Sequence, residues 1–320
     1  MKVESLKVLG NKLLTAVSVM LSRTLRGYAL NSPQSVFLEL ASTCNLHCPG
    51  CPVSTPRFRA SRSRMRMTPD DVRLVNEKVG HRCDTFVLNI WGESLLHQDI
   101  IEVLSVLRGR RLILSTNLNI PSSRLSSLID YQTQWRNISE LIVSMDGWDR
   151  QSYETYYRHG GSFDLITRNL DQLRDSVLSS QVILQFLDNG TIPDFRQLAF
   201  KFTRDYGFTA KIAVMDHNFD KQGVYFSRTL ECHLPYIGLY IDSALNVMTC
   251  CSDPFGTLNV QHLNDCNGFQ HVWNSEAMRA RRLALAVDKQ HFDVCQHCDG
   301  SRFHFFPRKQ QGSCSATVRR

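Results

Sequence analysis

Short apolar runs alternate with helical patterns along most of the chain, beginning near residue 35. The runs lie at 35–40, 85–91, 111–116, 140–145, 181–187 and 211–215. Continuous apolar runs of this length between amphipathic stretches are typical of parallel strands that are covered on both faces. The pattern therefore predicts an α/β fold of six βα units, arranged as a doubly wound sheet or as a partial barrel.

The stretches between these runs carry the end signals of helices. One helix is predicted to begin with Thr68 as its N-cap and Pro69 at its first position, and to end at Gly80. Further helices are predicted at 98–108, from Pro121 onward, at 164–178 and at 193–206. In either α/β topology, ligands bind at the carboxyl ends of the strands, so we expect the functional residues there.

The first 33 residues predict an amphipathic basic helix. Its apolar face carries Leu6, Leu9, Leu13, Val17 and Leu21, and its basic residues are Lys2, Lys7, Lys12, Arg23 and Arg26. We expect the apolar face to pack on the main domain; contact with a membrane surface is the alternative. The apolar stretch at 13–21 is too short to span a bilayer, so no transmembrane segment is expected.

Eleven cysteines are the most informative feature of the composition. They fall into closely spaced groups in a 320-residue chain that is 42% apolar, which favours metal binding over a disulfide framework. No signal-peptide cleavage pattern is found, and we expect a cytoplasmic protein with reduced thiols. The net charge of +7 favours anionic partners weakly, and no nucleic-acid-binding module accompanies it.

Cys44, Cys48 and Cys51 form a C-x3-C-x2-C pattern directly after the first predicted strand. Three thiolates at this spacing can hold an iron–sulfur cube by three corners, which leaves one iron open to a non-protein ligand. A structural zinc site with His47 as the fourth ligand is the alternative.

The loop at 38–52 resembles the signature loop of the radical S-adenosylmethionine superfamily, and later strand-end segments extend the resemblance over residues 35–215. The residues that match the family's cofactor-binding motifs are Gly92, Glu93, Ser115, Asn117 and Ser144. The resemblance implies a partial (β/α)6 barrel and a [4Fe-4S] cluster whose open iron chelates S-adenosylmethionine. It also implies a 5'-deoxyadenosyl radical that abstracts hydrogen from a substrate. Gly50 departs from the family pattern, which often has an aromatic residue there.

The C-terminal part resembles the twitch form of the SPASM-type auxiliary-cluster domain, which holds one further [4Fe-4S] cluster. The cysteines that carry this resemblance are Cys232, Cys250, Cys295 and Cys298, and four thiolates close a cube completely. Leu245 stands where the family usually has glycine. A zinc site of Cys295, His297 and Cys298 is the alternative. The expected organisation is a helix at 1–33, a radical S-adenosylmethionine barrel at 34–218, this module at 219–305 and a tail at 306–320.

Cys251 adjoins Cys250, and the resemblance to the twitch form implies Cys250 rather than Cys251 as the cluster ligand. Cys251 is then a free thiol beside the cluster and a candidate catalytic residue, because an S–H bond is weak enough to give a hydrogen atom to a carbon radical. A buried small residue without a catalytic role is the alternative. The remaining cysteines, Cys83, Cys266 and Cys314, are predicted to take no part in chemistry.

Five arginines follow the first cysteine group: Arg57, Arg59, Arg62, Arg64 and Arg66. They predict either a solvated loop or a rim for an acidic substrate group or an acidic electron donor of the flavodoxin or ferredoxin type.

Three functions are consistent with these features. The first is hydrogen abstraction from a carbinol carbon of a sugar- or aminocyclitol-like small molecule, giving epimerisation or dehydrogenation. The second is the same chemistry on a ribosomal peptide, and the third is a zinc-binding interaction protein without catalysis.

Overall fold

The structure is a computed structural model that describes residues 2–188, 193–214, 232–296 and 298. Within these ranges, side chains are described from residue 8 to residue 212 and from residue 232 onward. Met215, His297, Cys314 and the tail at 306–320 lie outside the described residues, as does the expected domain boundary near 218. The helices are α1 (Lys2–Met20), α2 (Pro56–Ala60), α3 (Pro69–Val79), α4 (Ile100–Val106), α5 (Ser122–Trp135), α6 (Phe163–Arg174), α7 (Phe195–Tyr206), α8 (Leu234–Ile237), α9 (Phe269–Trp273), α10 (Glu276–Val287) and α11 (Asp293–Gln296). The strands are β1 (Ser35–Leu38), β2 (Thr85–Val87), β3 (Arg111–Thr116), β4 (Ile138–Ser144), β5 (Val182–Asp188), β6 (Thr209–Val214), β7 (Gly238–Ile241), β8 (Asn246–Met248) and β9 (Asn259–His262).

The described strands form one sheet in the order β6-β5-β4-β3-β2-β1-β7-β8-β9. Strands β1 to β6 are parallel and lie beside one another in chain order. A doubly wound sheet reverses its strand order at a switch point, and β1 to β6 show no such reversal. The expected partial barrel is therefore confirmed, and the described strands do not close into a full one.

Local chemistry explains the helix ends that the sequence predicted. At the start of α3, the Thr68 hydroxyl accepts a hydrogen bond from the backbone N–H of Asp71 at 3.1 Å, and the Asp71 carboxylate accepts one from the Thr68 N–H at 2.6 Å. This reciprocal pair satisfies two backbone donors that a helix start leaves unpaired. Gly207 ends α7 with a φ of +75°, a conformation that glycine adopts without strain.

Alternate residues of the strands have different exposure. Leu112 and Leu114 of β3 are fully buried, whereas Ser115 between Leu114 and Thr116 is half-buried. The same alternation runs along β4 and leaves Ser144 half-buried at its end. Because neighbouring strand residues point to opposite faces, both serines lie on the less covered face of the sheet.

The C-terminal module extends this sheet beyond β1. β7 pairs with β1 in parallel, with Phe37 opposite Tyr240, and the two rings stack with centroids 4.6 Å apart. β8 and β9 continue as antiparallel strands. Residues 269–282 form α9 and the start of α10, which are separate because the Ser275 hydroxyl caps a new helix, accepting from the backbone N–H of Met278 at 3.1 Å.

Helix α1 forms, but it ends at Met20 instead of extending to residue 33, and its apolar face lies outward. Leu9 and Leu13 are each 65% exposed, whereas Thr15 and Ser18 are fully buried. The Ser18 hydroxyl accepts a hydrogen bond from the backbone N–H of Leu30 at 2.9 Å, which fixes the polar side against the domain. The expected packing of the apolar face on the main domain is therefore wrong. No helix within the described ranges is both long and apolar enough to cross a membrane.

Candidate active site

The first cysteine loop leaves the sheet after β1 and lies against the loop that follows β2. Gly92 has a φ of +78°, and a Cβ atom there would lie 2.0 Å from the carbonyl oxygen of Ala41. The neighbouring Glu93 donates its backbone N–H to the carbonyl of Thr43 at 2.8 Å. Only glycine permits this approach of the two backbones, so Gly92 fixes where the cysteine loop begins.

Cys44, Cys48 and Cys51 are half-buried free thiols in this loop. Burial raises the pKa of Cys44 to about 11, and the nearby Glu93 carboxylate and the other two thiols add to the shift. Burial also raises the pKa of Cys51, and Cys48 again contributes. The three thiols thus lie within electrostatic reach of one another, where a cation is needed to hold them as thiolates. Gly50, between two of them, takes a φ of +72° that an aromatic side chain would strain.

Glu93 is buried and links the loop to the end of β3. Its carboxylate accepts backbone hydrogen bonds from Leu95 at 3.0 Å and Asn117 at 2.6 Å. Burial raises the pKa of Glu93, and these hydrogen bonds oppose that shift. The Asn117 amide in turn donates to the Cys44 sulfur at 3.5 Å. The structure therefore brings Glu93, Asn117 and Cys44 together, as the sequence motifs predicted.

Ser115 and Ser144 lie at the carboxyl ends of β3 and β4. The strand register sets Ser115 beside Ile142 and Ser144 beside Gln185. Both serines share the less covered face with the end of β3 that carries Asn117. The five residues predicted to bind the cofactor thus occupy the ends of three consecutive strands, and their binding role stays a prediction.

Arg158 is a site residue that the sequence motifs did not reveal. It follows a π-helical turn at Gln151–Tyr157, donates to the Cys48 sulfur at 3.5 Å and forms a buried ion pair with Asp146. Burial alone would lower the pKa of Arg158, but Asp146 and Cys48 raise it above its usual value. Its Nε atom is buried without a hydrogen-bond partner among the described residues. A buried cation with an unused donor beside three thiols fits an anionic iron–sulfur cluster.

The second cysteine group lies in the C-terminal module. The pKa of Cys250 is raised well above its usual value by burial and by Cys251, Cys232 and Cys295. Burial also raises the pKa of Cys251, with contributions from Cys298 and Cys232. Burial raises the pKa of Cys295 to about 12. The four predicted ligands are therefore brought together, and Cys251 lies among them.

The surroundings of this second group are apolar. Cys250 packs with Tyr240 and Met248, and partly buried Phe37, Ile90 and Cys251 pack against them. The hydroxyl of Tyr240 has a pKa well above its usual value because of burial and the neighbouring thiols.

Arg281 stands beside the second group as Arg158 stands beside the first. Its guanidinium lies 4.7 Å from the centroid of the Phe292 ring and interacts electrostatically with Cys295 and Cys250. Its Nη1 atom is buried and has no hydrogen-bond partner in the described part of the chain. This group too fits an anionic cluster, because a cluster sulfur would accept from the unused donor.

Zinc is the alternative metal for both cysteine groups. Within the described ranges, no three His, Cys, Asp or Glu side chains are arranged to bind one metal ion. The thiolates of an iron–sulfur cube bind separate irons and therefore stand farther apart than the ligands of one ion. His47 and the three cysteines of the first zinc alternative are all described. His297 of the second zinc alternative lies outside the described residues.

The arginine run does not form one rim. Arg62 is buried and pairs with Glu39 at 2.9 Å, and both side chains are fully buried. Arg64 pairs with Asp71 at 2.9 Å, and Arg57 lies 4.0 Å from the centroid of the Phe255 ring. Arg59 and Arg66 are the exposed members that remain for an acidic partner.

Comparison with known proteins identifies a domain and a fold. Residues 232–299 match the model of SPASM, an iron-sulfur cluster-binding domain. The structure of BtrN in complex with AdoMet and 2-DOIA is similar, with 16% sequence identity and a TM-score of 0.55 over 82% of this chain and 92% of that one. SuiB of Streptococcus suis bound to precursor peptide SuiA has 11% identity and a TM-score of 0.63 over 85% of this chain and 72% of that one. The structure of SuiB bound to S-adenosylmethionine has 10% sequence identity to this chain and a TM-score of 0.61. A search of curated protein sequences found no significant match.

These comparisons confirm two predictions. The chain has the α/β fold of the BtrN and SuiB structures over most of its length, and its cysteine-rich module is an iron–sulfur domain of the SPASM type. The resemblance that the strand-end motifs carry is thereby confirmed at the level of fold and auxiliary domain, and iron–sulfur is confirmed as the cofactor class.

Proposed function

We propose that this chain, a SPASM-type member of the radical S-adenosylmethionine superfamily, abstracts hydrogen from a carbinol carbon of a sugar- or aminocyclitol-like small molecule. The product is a ketone or an epimer. The packing of Cys250 and Cys251 against Phe37 and Ile90 carries the proposal. Phe37 lies on β1, which precedes the first cysteine loop, and Ile90 precedes Gly92. Both cysteine groups are therefore at one end of the sheet, where a substrate can reach them together.

Each predicted site residue has a place in this proposal. Cys44, Cys48 and Cys51 hold the first cluster, and Cys232, Cys250, Cys295 and Cys298 hold the second. Gly92, Glu93, Ser115, Asn117 and Ser144 bind S-adenosylmethionine. When bound, the first cluster and S-adenosylmethionine supply the reductive cleavage that produces a hydrogen-abstracting carbon radical. Glu93 holds Asn117 through its backbone, and Asn117 holds Cys44, so the cofactor site is positioned before any ligand binds.

Cys251 decides between the two outcomes. In epimerisation, Cys251 donates its hydrogen atom to the substrate carbon on the opposite face, and the sulfur radical then takes up one electron and one proton. In dehydrogenation, an auxiliary cluster held by Cys232, Cys250, Cys295 and Cys298 would accept the electron that the substrate radical loses, the hydroxyl proton would go to solvent, and Cys251 would take no part.

Reduction of the first cluster needs an electron from outside the chain. A small acidic donor of the flavodoxin or ferredoxin type fits the exposed Arg59 and Arg66 beside the first cysteine loop. The cytoplasm, where thiols stay reduced and such donors occur, is the compartment that this proposal requires.

Anaerobic reconstitution tests the chemistry. We expect about eight iron and eight sulfide per chain, as for two [4Fe-4S] clusters. We also expect release of 5'-deoxyadenosine from S-adenosylmethionine after reduction with dithionite. Stoichiometric zinc without a brown chromophore would instead identify a zinc-binding protein and contradict the proposal.

Turnover in heavy water separates the two outcomes. With a candidate polyol substrate, epimerisation predicts deuterium in the product of the wild-type chain and none with Cys251→Ala. Cys266→Ala, a buried cysteine outside both groups, is the matched control and should behave as wild type. Full turnover by Cys251→Ala assigns the chain to dehydrogenation.

Peptide modification is the second candidate because SuiB, whose fold this chain shares, was crystallised with its precursor peptide. Deoxyadenosine release that is stimulated by a peptide, and by no sugar or aminocyclitol, would establish that candidate and contradict a small-molecule substrate.

A further inference from the structure

The exposed face of α1 is apolar over more than three helical turns. The exposed large apolar residues of this helix and its next residue are Val8, Leu9, Leu13, Leu14, Met20 and Leu21, and Met20 is 77% exposed. Leu9, Leu13 and Met20 are spaced by four and seven residues and therefore lie on one side. Single exposed apolar residues are ordinary, whereas a continuous apolar stripe marks a contact surface.

The opposite side of α1 combines polar residues with the apolar Ala16 and Val19, and specific hydrogen bonds hold it. Asn11 donates to the carbonyl of Ser32 at 3.0 Å and accepts from its backbone N–H at 2.9 Å. The Ser22 hydroxyl lies 2.5 Å from that of Tyr236. Rotation of the helix to bury its leucines would break these bonds together with the Ser18 contact. The outward direction of the leucines is therefore built into the packing.

The charged residues along this face are mostly basic. Apart from Glu4 in the first turn of α1, no Asp or Glu occurs before residue 39, and the basic residues of 5–38 are Lys7, Lys12, Arg23 and Arg26. Lys12, Arg23 and Arg26 are exposed. Two copies meeting through this face would bring these positive charges together, which disfavours a dimer. An anionic lipid surface is complementary to both features, because it offers acyl chains to the apolar stripe and negative charge to the basic residues.

We propose that the outward face of α1 binds the surface of an anionic lipid bilayer. The helix lies in the plane of the surface, with its leucines and Met20 among the upper acyl chains and Lys12 and Arg23 near the phosphates. The proposal is independent of the proposed catalytic chemistry, since none of these residues touches either cysteine group.

Co-sedimentation of the full chain with vesicles tests this proposal. We expect binding to vesicles of phosphatidylglycerol and phosphatidylcholine, with weaker binding to phosphatidylcholine alone and a decrease as salt rises. Leu13→Ser combined with Met20→Ser should weaken the partition by more than about tenfold, because two large apolar side chains lose their burial. Val177→Ser, at an exposed apolar residue after α6, is the matched control and should bind as wild type.

Charge variants provide a second measurement. Lys12→Gln and Arg23→Gln should each reduce binding to the anionic vesicles by about fivefold. All variants alter exposed side chains, so their thermal unfolding should match wild type. Equal binding by the double apolar variant, or no binding by wild type, would overturn the proposal. So would a dimer in solution that the double variant separates into monomers, or protection of α1 from proteolysis by residues 299–320, since either would identify a different occupant.

Discussion

The two cysteine groups present the same ligand atom in different surroundings. Cys44, Cys48 and Cys51 are half-buried on a loop that is held by polar groups at strand ends, whereas the second group combines buried Cys250 and Cys295 with half-buried Cys232, Cys251 and Cys298. A small molecule can approach the first group along the less covered sheet face, and Cys250 of the second group packs among apolar side chains. The difference teaches that the surroundings agree with the number of thiols: three exposed enough for a ligand would leave an iron open, and four would close a cluster that exchanges electrons.

An arginine with an unused donor beside each group is the feature that they share, although Arg158 is largely buried and Arg281 only half-buried. Arg158 is held by a carboxylate, Asp146, and Arg281 by an aromatic ring, Phe292. The two arginines therefore contribute differently to folding, although both have an unused donor near thiols. The following predictions test this comparison.

The largest expected effect comes from removing one ligand of each group. Cys48→Ala and Cys298→Ala should each lose about half of the iron and all product formation, because an incomplete set of thiolates does not hold a cube. Only Cys48→Ala should also lose 5'-deoxyadenosine release. Cys83→Ala, a buried cysteine outside both groups, should keep its full iron content. Loss of deoxyadenosine release by both ligand variants would remove the distinction between the groups.

Replacement of the two arginines should separate their roles in stability. Arg158→Met should lower the free energy of unfolding by about 3–5 kcal/mol, because it leaves Asp146 buried and unpaired. Arg281→Met should lower it by about 1 kcal/mol, the scale of a lost cation–π contact, because the nearby buried Asp253 keeps its hydrogen bonds from the Thr257 hydroxyl and the Leu258 backbone. Urea unfolding measures both values. Equal losses would show that the attraction between Arg281 and Asp253 stabilises the fold as strongly as the Arg158–Asp146 pair.

Glu93→Gln should have an intermediate effect on stability and on cofactor binding. A glutamine amide cannot accept at both positions, so one backbone donor, of Leu95 or of Asn117, loses its partner at a cost of about 1–3 kcal/mol. The KM for S-adenosylmethionine should rise, while the iron content stays near that of wild type. Iron loss equal to that of Cys48→Ala would mean that Glu93 serves the cluster loop alone.

The smallest expected effect on stability comes from a substitution at Phe37, which lies between the two cysteine groups. Phe37→Leu should lower the free energy of unfolding by about 1 kcal/mol, since it removes the stacked ring opposite Tyr240 and keeps most of the volume. The ratio of product to 5'-deoxyadenosine should fall more than the rate of deoxyadenosine release. An unchanged ratio would show that this ring does not affect how the groups work together.

The sequence predicted those parts of the fold and site that depend on neighbouring residues. The strand at 111–116 and the capped helix after Thr68 follow from periodicity and capping, which act over a few positions. The cysteine loop and Gly92–Glu93 were found because each motif is continuous in the chain.

The parts that were missed depend on residues that meet only after folding. Arg62 and Glu39 are 23 positions apart, and nothing local marks them as a buried pair. The orientation of α1 depends on partners such as Tyr236, so its apolar pattern alone gave the wrong face. An apolar stripe indicates a contact surface. It does not indicate whether the contact is with the rest of this protein or with another molecule.

Leu245 shows how a position can keep a conformation without its usual residue. It has a φ of +68°, the conformation that glycine adopts readily. The turn is held by the Asp242 carboxylate, which accepts from the backbone N–H groups of Ala244 at 2.9 Å and Asn246 at 2.8 Å. The Leu245 side chain is buried, and its burial offsets a left-handed strain of about 1–2 kcal/mol.

The pairing of β1 with β7 also affects when the first cysteine loop can complete its folding during synthesis. Ser35 pairs with Gly238, so the first cysteine loop leaves a strand whose partner is made much later in synthesis. At ribosomal rates, the interval between Cys51 and Cys298 is on the order of 10–50 s. During that interval the early thiols have no completed sheet beside them. Stable iron–sulfur assembly at the first cysteine group is therefore expected to follow the synthesis of β7 rather than that of the cysteine loop itself.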